Sequence, residues 1–263
     1  MKPLILGIVN ITEDSFTDGG LYLDPTAAIS HGLQMVANGA DVVDLGPAST
    51  HPDAKEVSPE EEIRRLEPVV GRLTAAEVSI SVDSFRPETQ RWAAALGVAY
   101  LNDTQGFPKP SVYGDLARSN CKLVVMHSVQ RGWKAERVVT DPDRIYARVE
   151  AFFAERVSSL LDAGIERERI IIDPGMGVFL GSNPEPSLRM LRAISRLKQR
   201  FRLPVMVCVS RKSFLKSILR HTHELGAATL AAELYAAAQG VGYIRTHDVQ
   251  ALSDALEVSQ ALT

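Results

Sequence analysis

Short runs of β-branched and other apolar residues recur along the chain, each closing on a polar residue: LILGIVN, DVVDLG, SISVDS, AYLNDT, KLVVMHS, IIIDPG, VMVCVS and YIRTHD, eight in all. Runs that are apolar on both faces mark strands buried on two sides, as in a parallel sheet. Between them the period changes. In PTAAISHGLQMVANGA, SPEEEIRRLEPVVGRL and PDRIYARVEAFFAERVSSLLDAG apolar residues return every three or four positions, which predicts amphipathic helices. Ser58 followed by Glu61 predicts a capping-box start, and Gly39 and Gly164 predict helix stops.

Strands alternating with helices imply a parallel sheet covered by helices. Eight such units in 263 residues fit a closed α/β TIM barrel, (β/α)8, better than an open doubly wound sheet. No linker, low-complexity tract or long run of like charge divides the chain, so one domain over residues 1–263 is expected. Catalytic groups of such barrels lie at the C-terminal strand ends and in the loops that follow. Those ends read Asn10, Asp44, Asp83, Asn102 with Asp103, His127, Asp173, Ser210-Arg211-Lys212, and Arg245 with His247. A lone buried aspartate is ordinarily structural, but eight strands all ending in polar groups at one mouth exceed what packing requires.

The mouth has an acidic half and a basic half. Its acids can accept from a ligand rich in N–H groups, such as a fused heterocycle with an amino-pyrimidinone edge. Arg211, Lys212, Arg245 and His247 suit phosphate. The glycines of DPGMGVFLG have neither dinucleotide nor Walker spacing. Lys212 is open to a Schiff-base role or to binding an anion or ring acceptor, and His127 to a role as general base or as a hydrogen-bonded structural residue. The polar segments NITEDSF and GPASTHPDAKEVSPEEE, after the first two strands, have the character of closing loops.

Composition narrows the partners more than the fold. A net charge of −3 with 45% apolar residues is globular and gives nucleic acid no basic surface. No apolar stretch reaches the ~20 residues of a membrane span, and Cys121 and Cys208 sit in strand-like runs without metal spacing. A soluble cytoplasmic protein with reduced, buried thiols is expected.

Taken in order, GIVNITEDSFTDGG, GADVVDLGPAST, SVDS, LNDTQGF, VVMHS, IIIDPGMG, VSRKSF, TLAAELYAA and IRTHDV resemble dihydropteroate synthase over essentially the whole chain. The resemblance implies condensation of a pterin pyrophosphate with p-aminobenzoate in folate synthesis, through loss of pyrophosphate from the pterin methylene and attack by the aniline nitrogen. It implies that Asp83, Asn102, Met126, Asp173 and Lys212 hold the pterin, with Asp83, Asp173 and Lys212 as the catalytic set. Asn10, Thr50, Arg245 and His247 would serve the phosphates, Asn10 also ligating Mg2+. Thr50, Pro52, Arg211, Ser213 and Phe179 would form the p-aminobenzoate side. A homodimer through the small-residue helix GAATLAAELYAAAQGVG is likewise implied.

Two departures stand out. The family's second loop reads roughly E-S-T-R-P-G, whereas ASTHPD keeps Thr50 and Pro52 but changes Ala48, His51 and Asp53, so the loop arginine is missing. Ordinary members read close to D-P-G-x-G-F-G-K where this chain has DPGMGVFLGSN. That lengthening, with PDAKEVSP, MHSVQR and VSRKSFL, resembles the sulfonamide-resistance branch, in which a sulfonamide is only a weak competitor. Phe179, with Val178, is expected to narrow the aminobenzoate pocket against the bulkier drug. Other readings are a pterin-binding methyltransferase barrel, a non-catalytic paralogue, and an aldolase working through Lys212.

Overall fold

The computed structural model describes residues 2–12, 23–49, 54–130, 132, 136–219 and 224–262. All eight expected strands are present: β1 (Leu4–Asn10), β2 (Val42–Gly46), β3 (Ile80–Asp83), β4 (Tyr100–Asp103), β5 (Lys122–Met126), β6 (Ile170–Asp173), β7 (Met206–Val207) and β8 (Tyr243–Thr246). They form one parallel sheet in the order β6-β5-β4-β3-β2-β1-β8-β7. The barrel closes between β6 and β7 by a parallel bridge from Ile172 to Val205 and a 3.0 Å bond from Ile172 N–H to the Pro204 carbonyl. The closed barrel, not the open sheet, is the architecture.

The helices of the outer layer are α1 (Pro25–Ala37), α2 (Pro59–Ala75), α3 (Pro87–Ala95), α4 (Tyr113–Arg118), α5 (Ile145–Asp162), α6 (Glu185–Arg192), α7 (Ile194–Phe201), α8 (Ser213–Ile218), α9 (Gly226–Ala238) and α10 (Val249–Ala261). Ser58 caps α2 as expected, its Oγ accepting from Glu61 N–H at 3.3 Å. The reciprocal half of the box is absent. The Glu61 carboxylate turns instead to Arg64 and Arg65, which hold its pKa down at about 2. Gly39 (φ 102°) and Gly164 (φ 86°) follow the last turns of α1 and α5 as predicted. No helix among the described residues is long and apolar enough to cross a membrane.

Strand pleating sorts the core into two parts. Side chains such as Ile5, Val9, Val43, Leu45, Val82, Leu101, Val125, Ile172 and Ile244 point outward into one large cluster with the helices. Leu6, Val42, Tyr100, Val124, Ile171, Met206 and Tyr243 form a separate buried cluster inside the barrel. The Tyr100 and Tyr243 rings meet edge to face there, 6.0 Å apart. Two residues further along each strand, the next inward position faces the mouth, and this is where the polar strand ends stand.

Buried charge outside the mouth is handled with carbonyls and hydroxyls. Arg169 donates to the carbonyls of Cys121 and Leu116 and to Ser119 Oγ, satisfying the end of α4. Glu233 of α9 is less well provided for. It is buried, its Oε1 has no hydrogen-bond partner, and burial lifts its pKa to about 7, against the lowering effect of Thr246. A raised pKa means that the folded protein binds this proton more tightly than the unfolded chain, so stability falls as pH climbs from about 4.5 through about 7. Glu233→Gln is therefore expected to be more stable than the parent at pH 8 by on the order of 2–3 kcal/mol, and so to unfold at a higher temperature. The advantage vanishes near pH 5, as thermal melts across that range would read.

Candidate active site

Asp83, Asn102, Met126, Asp173, Cys208 and Arg245 are the inward residues at the tops of their strands, and all face one cleft of about 350 Å³. Asn10 at the end of β1, Ser213 at the start of α8, and Phe179, Arg211, Lys212 and His247 from the segments after their strands complete its wall. Every described residue that the resemblance assigns to substrate thus lines a single cavity, whereas the strand-end residues Asp44, Asp103 and His127 are buried outside its lining. Thr50, His51, Pro52 and Asp53 lie outside the described residues, as does much of the first loop.

The floor is a charge cluster. Arg245 donates from Nε to Asp44 Oδ2 at 2.6 Å and from Nη2 to Asp83 Oδ2 at 2.8 Å. Asp44 is fully buried, while Asp83 and Arg245 keep side-chain exposures of 16% and 14% toward the cleft. Burial raises the pKa of Asp83, partly offset by Arg245 and reinforced by Asp44. Burial works against the charge of Arg245, but Asp44 and Asp83 more than offset it and leave the pKa raised. The guanidinium expected at the phosphates is therefore already engaged by two carboxylates. Asp44 was visible as a strand end, but nothing local marked it as the partner of Arg245.

Asp173 is pushed up to about 6 by burial, tempered by the Gly175 N–H that donates to its Oδ1 at 2.8 Å and by Lys212. Asn102 Oδ1 is buried with no hydrogen-bond partner. The acidic wall thus presents acceptors not consumed by the protein. Gly175 packs so tightly that a Cβ would lie 2.4 Å from the His127 carbonyl oxygen, and its φ of 74° is one that other residues rarely adopt. Only glycine brings the Asp173 turn this close to β5. His127 itself is buried, its Nδ1 3.2 Å from the Pro174 carbonyl, and burial lowers its pKa to about 4. The structural reading of His127 holds.

Arg211 sits in left-handed backbone (φ 56°), a strained conformation that clusters at working sites. Its N–H donates to Thr229 Oγ1 of α9 at 3.2 Å. Lys212 lays its stem along Gly177, whose hypothetical Cβ would be 3.5 Å from it, and carries its Nζ 5.1 Å above the centre of the Phe179 ring. His247 Nδ1 is 2.9 Å from Ser210 Oγ, and burial, then Arg211 and Arg245, hold its pKa well below the usual histidine value. Arg65 was not anticipated. From α2 its Nη1 reaches the carbonyls of Ile11 and Pro47, at 3.4 and 3.1 Å, and so anchors the bases of both long loops.

The model for pterin binding enzymes matches residues 6–247. The chain is 54% identical to the dihydropteroate synthase type-3 of Escherichia coli, over 98% of both chains. It belongs to the dihydropteroate synthase family. Two solved synthases share the fold: that of Yersinia pestis with a sulfonamide drug (TM-score 0.90, 30% identity, 99% of this chain and 94% of that one) and that of Xanthomonas albilineans with 7,8-dihydropteroate (0.82, 33%, 99% and 93%). As a member of this family the protein is an enzyme, a transferase.

Because Asp44 and Asp83 share one cation, removing it leaves two carboxylates unpaired, Asp44 fully buried. Arg245→Leu is expected to cost about 3–5 kcal/mol, and adding Asp44→Asn to recover part of that loss. Urea unfolding of the two variants and the parent reads both.

Proposed function

We propose that the chain condenses 6-hydroxymethyl-7,8-dihydropterin pyrophosphate with p-aminobenzoate, giving 7,8-dihydropteroate and pyrophosphate, and does so with reduced sensitivity to sulfonamides. The observation that carries the reading is the division of the cleft: unconsumed acceptors on the floor, cations at the rim, and an aromatic ring from the β6 turn between them. Asp173, Asn102 and Asp83 accept from the amino-pyrimidinone edge of the pterin. Met126 supplies an apolar surface to the ring. As the methylene carbon–oxygen bond breaks, positive charge spreads into the ring, where Asp173 and Asp83 offset it. Arg211, Lys212 and His247 face the departing pyrophosphate, and Arg245 holds Asp83 in place beneath the ring. The aniline nitrogen then bonds to the methylene carbon and releases its proton.

Among the described residues no three His, Cys, Asp or Glu converge as a metal cage. Asn10 nonetheless fits a magnesium ion that arrives with pyrophosphate, since Mg2+ commonly takes most ligands from phosphates and water. Its Oδ1 lies 3.3 Å from where a Cβ on Gly46 would stand, so glycine keeps that oxygen's surroundings open. The ion would supply charge neutralisation to the leaving group. Ser213 and Phe179 flank the outer part of the cleft, the place for p-aminobenzoate, with Thr50 and Pro52 assigned there from the sequence. The exposed Tyr235 of α9, beside partly buried Leu230 and Leu234, supports a homodimer through that helix.

Phe179 is the specificity element of this reading. The carboxylate of p-aminobenzoate is slim, whereas a sulfonamide carries a substituent beyond its sulfur, and a ring packed against Lys212 leaves room for the first and not the second. Phe179→Ala is expected to lower the inhibition constant for sulfamethoxazole by roughly tenfold or more. The measurement is dihydropteroate formation across a drug titration beside a drug-sensitive synthase. Inhibition of the parent like that control would remove the resistance half of the proposal, and absence of turnover would remove the reaction.

A second expectation concerns pH. Asp173, raised to about 6, loses its acceptor character as pH falls through that value. Pterin affinity should accordingly weaken roughly tenfold between pH 7.5 and pH 5. Calorimetric titration with a pterin would show this acid limb in the parent and its loss in Asp173→Asn.

A further inference from the structure

The turn that carries Phe179 does not hold itself in place. Residues 177–179 make one 3-10 turn after β6, closed by Leu180 N–H on the Gly177 carbonyl at 2.9 Å. From α6, Ser187 Oγ accepts from Gly177 N–H at 2.9 Å and holds the start of the turn, while its Val178–Phe179 end is fixed by the loop after β5. Val129 N–H donates to the Phe179 carbonyl at 2.9 Å, and Gln130 Nε2 to the Val178 carbonyl at 2.6 Å. Further out, Ser182 N–H donates to the Val138 carbonyl at 2.7 Å, and the Asn183 amide pairs with the backbone of Thr140. The two loops are zipped together.

Gln130 is the side chain on which the inner end of this zip converges. Its Oε1 accepts from Glu136 N–H at 2.8 Å, and its Nε2 donates to the Glu136 carbonyl at 3.0 Å as well as to Val178. The amide thus imitates a peptide group, pairing both backbone polar groups of Glu136 while reaching across to the β6 turn. All its hydrogen-bonding atoms are in use. Gln130 does not line the cleft, whereas Val178 and Phe179 do.

We propose that Gln130 is a positioning residue for drug discrimination: it fixes the Val178–Phe179 peptide, and so sets how far the Phe179 ring reaches over Lys212 into the outer cleft. This rests on the reading of Phe179 given above. A ring excludes a bulkier ligand only if its backbone cannot yield, and a neighbouring side chain that clamps that backbone controls selectivity without touching either ligand.

Gln130→Glu is the sharp test. It keeps an acceptor for Glu136 N–H but faces the Val178 carbonyl with a carboxylate oxygen instead of a donor. Gln130→Ala, which removes the clamp without adding charge, is the second variant should the first fold poorly. The readout is the ratio of the sulfamethoxazole inhibition constant to KM for p-aminobenzoate, with KM for pterin pyrophosphate and the thermal midpoint measured alongside.

Both variants are expected to lower that ratio about fivefold or more, with pterin KM within about twofold of the parent, a window of one to a few factors typical of a lost contact. In the Phe179→Ala background Gln130→Glu should lower it no further, because the clamp acts through the ring. A ratio unchanged in both Gln130 variants while Phe179→Ala lowers it would overturn the role of Gln130 and leave that of Phe179 standing. An unchanged ratio in Phe179→Ala itself would overturn the reading beneath it, and this inference too. A ratio that falls only together with pterin binding and the thermal midpoint counts against the proposal, since it marks a general structural role.

Discussion

Closing eight parallel strands on themselves forces alternate side chains into a space with no other exit. The lower inward positions fill that space with Leu6, Val42, Tyr100, Val124, Ile171, Met206 and Tyr243, a buried plug separate from the helix-facing core. The next inward positions cannot be covered by the barrel, because the strands end there. They become a floor that is rigid from below and open from above. Asp83, Asn102, Asp173 and Arg245 stand on it because each is two residues past a plug position or its register partner.

Such a floor concentrates charge where desolvation is costly. At the strand ends, the carboxyl groups of Asp83, Asp103 and Asp173 have pKa values raised chiefly by burial. The protein tolerates this by giving each a different partner. Asp83 has Arg245; Asp103 has Gln90 and the backbone N–H groups of Gln105 and Phe107; Asp173 has Gly175 N–H. The amount of pairing follows the assigned work. Asp103, with three donors, is buttress for the loop after β4, whereas Asp173, with a single named donor on one oxygen, keeps capacity for a ligand.

The rim follows a different rule. Its groups come from turns, and turns are positioned by contacts between loops instead of by the sheet. Arg65 ties two loop bases to α2, Thr229 of α9 holds the strained Arg211, and Gln130 clamps the turn of Phe179. On the proposed reading, the pterin half rests on the barrel, and the choice among second substrates rests on side chains outside the cleft. Changes in selectivity can arise there without disturbing the floor.

Strand pattern alone determined the barrel, because buried parallel strands must be apolar on both faces and their ends must carry whatever the mouth displays. It also determined Asn10, Asp83, Asn102, Asp173, Lys212 and His247 as residues of one cavity, since each ends a run or follows it closely. The capping box was only half legible: Ser58 could be read, but Glu61 had two arginines within a turn to choose from. His127 could be read either way until its ring was found against Pro174. Tertiary structure alone decided which charges meet. Arg245 and Asp44 are 201 residues apart, Gln130 and Val178 are 48 apart, and Arg65 reaches Ile11 across 54. Periodicity reports which face a residue occupies within its own element. Which distant group waits on that face depends on how the elements close around one another, and that is a property of the folded barrel.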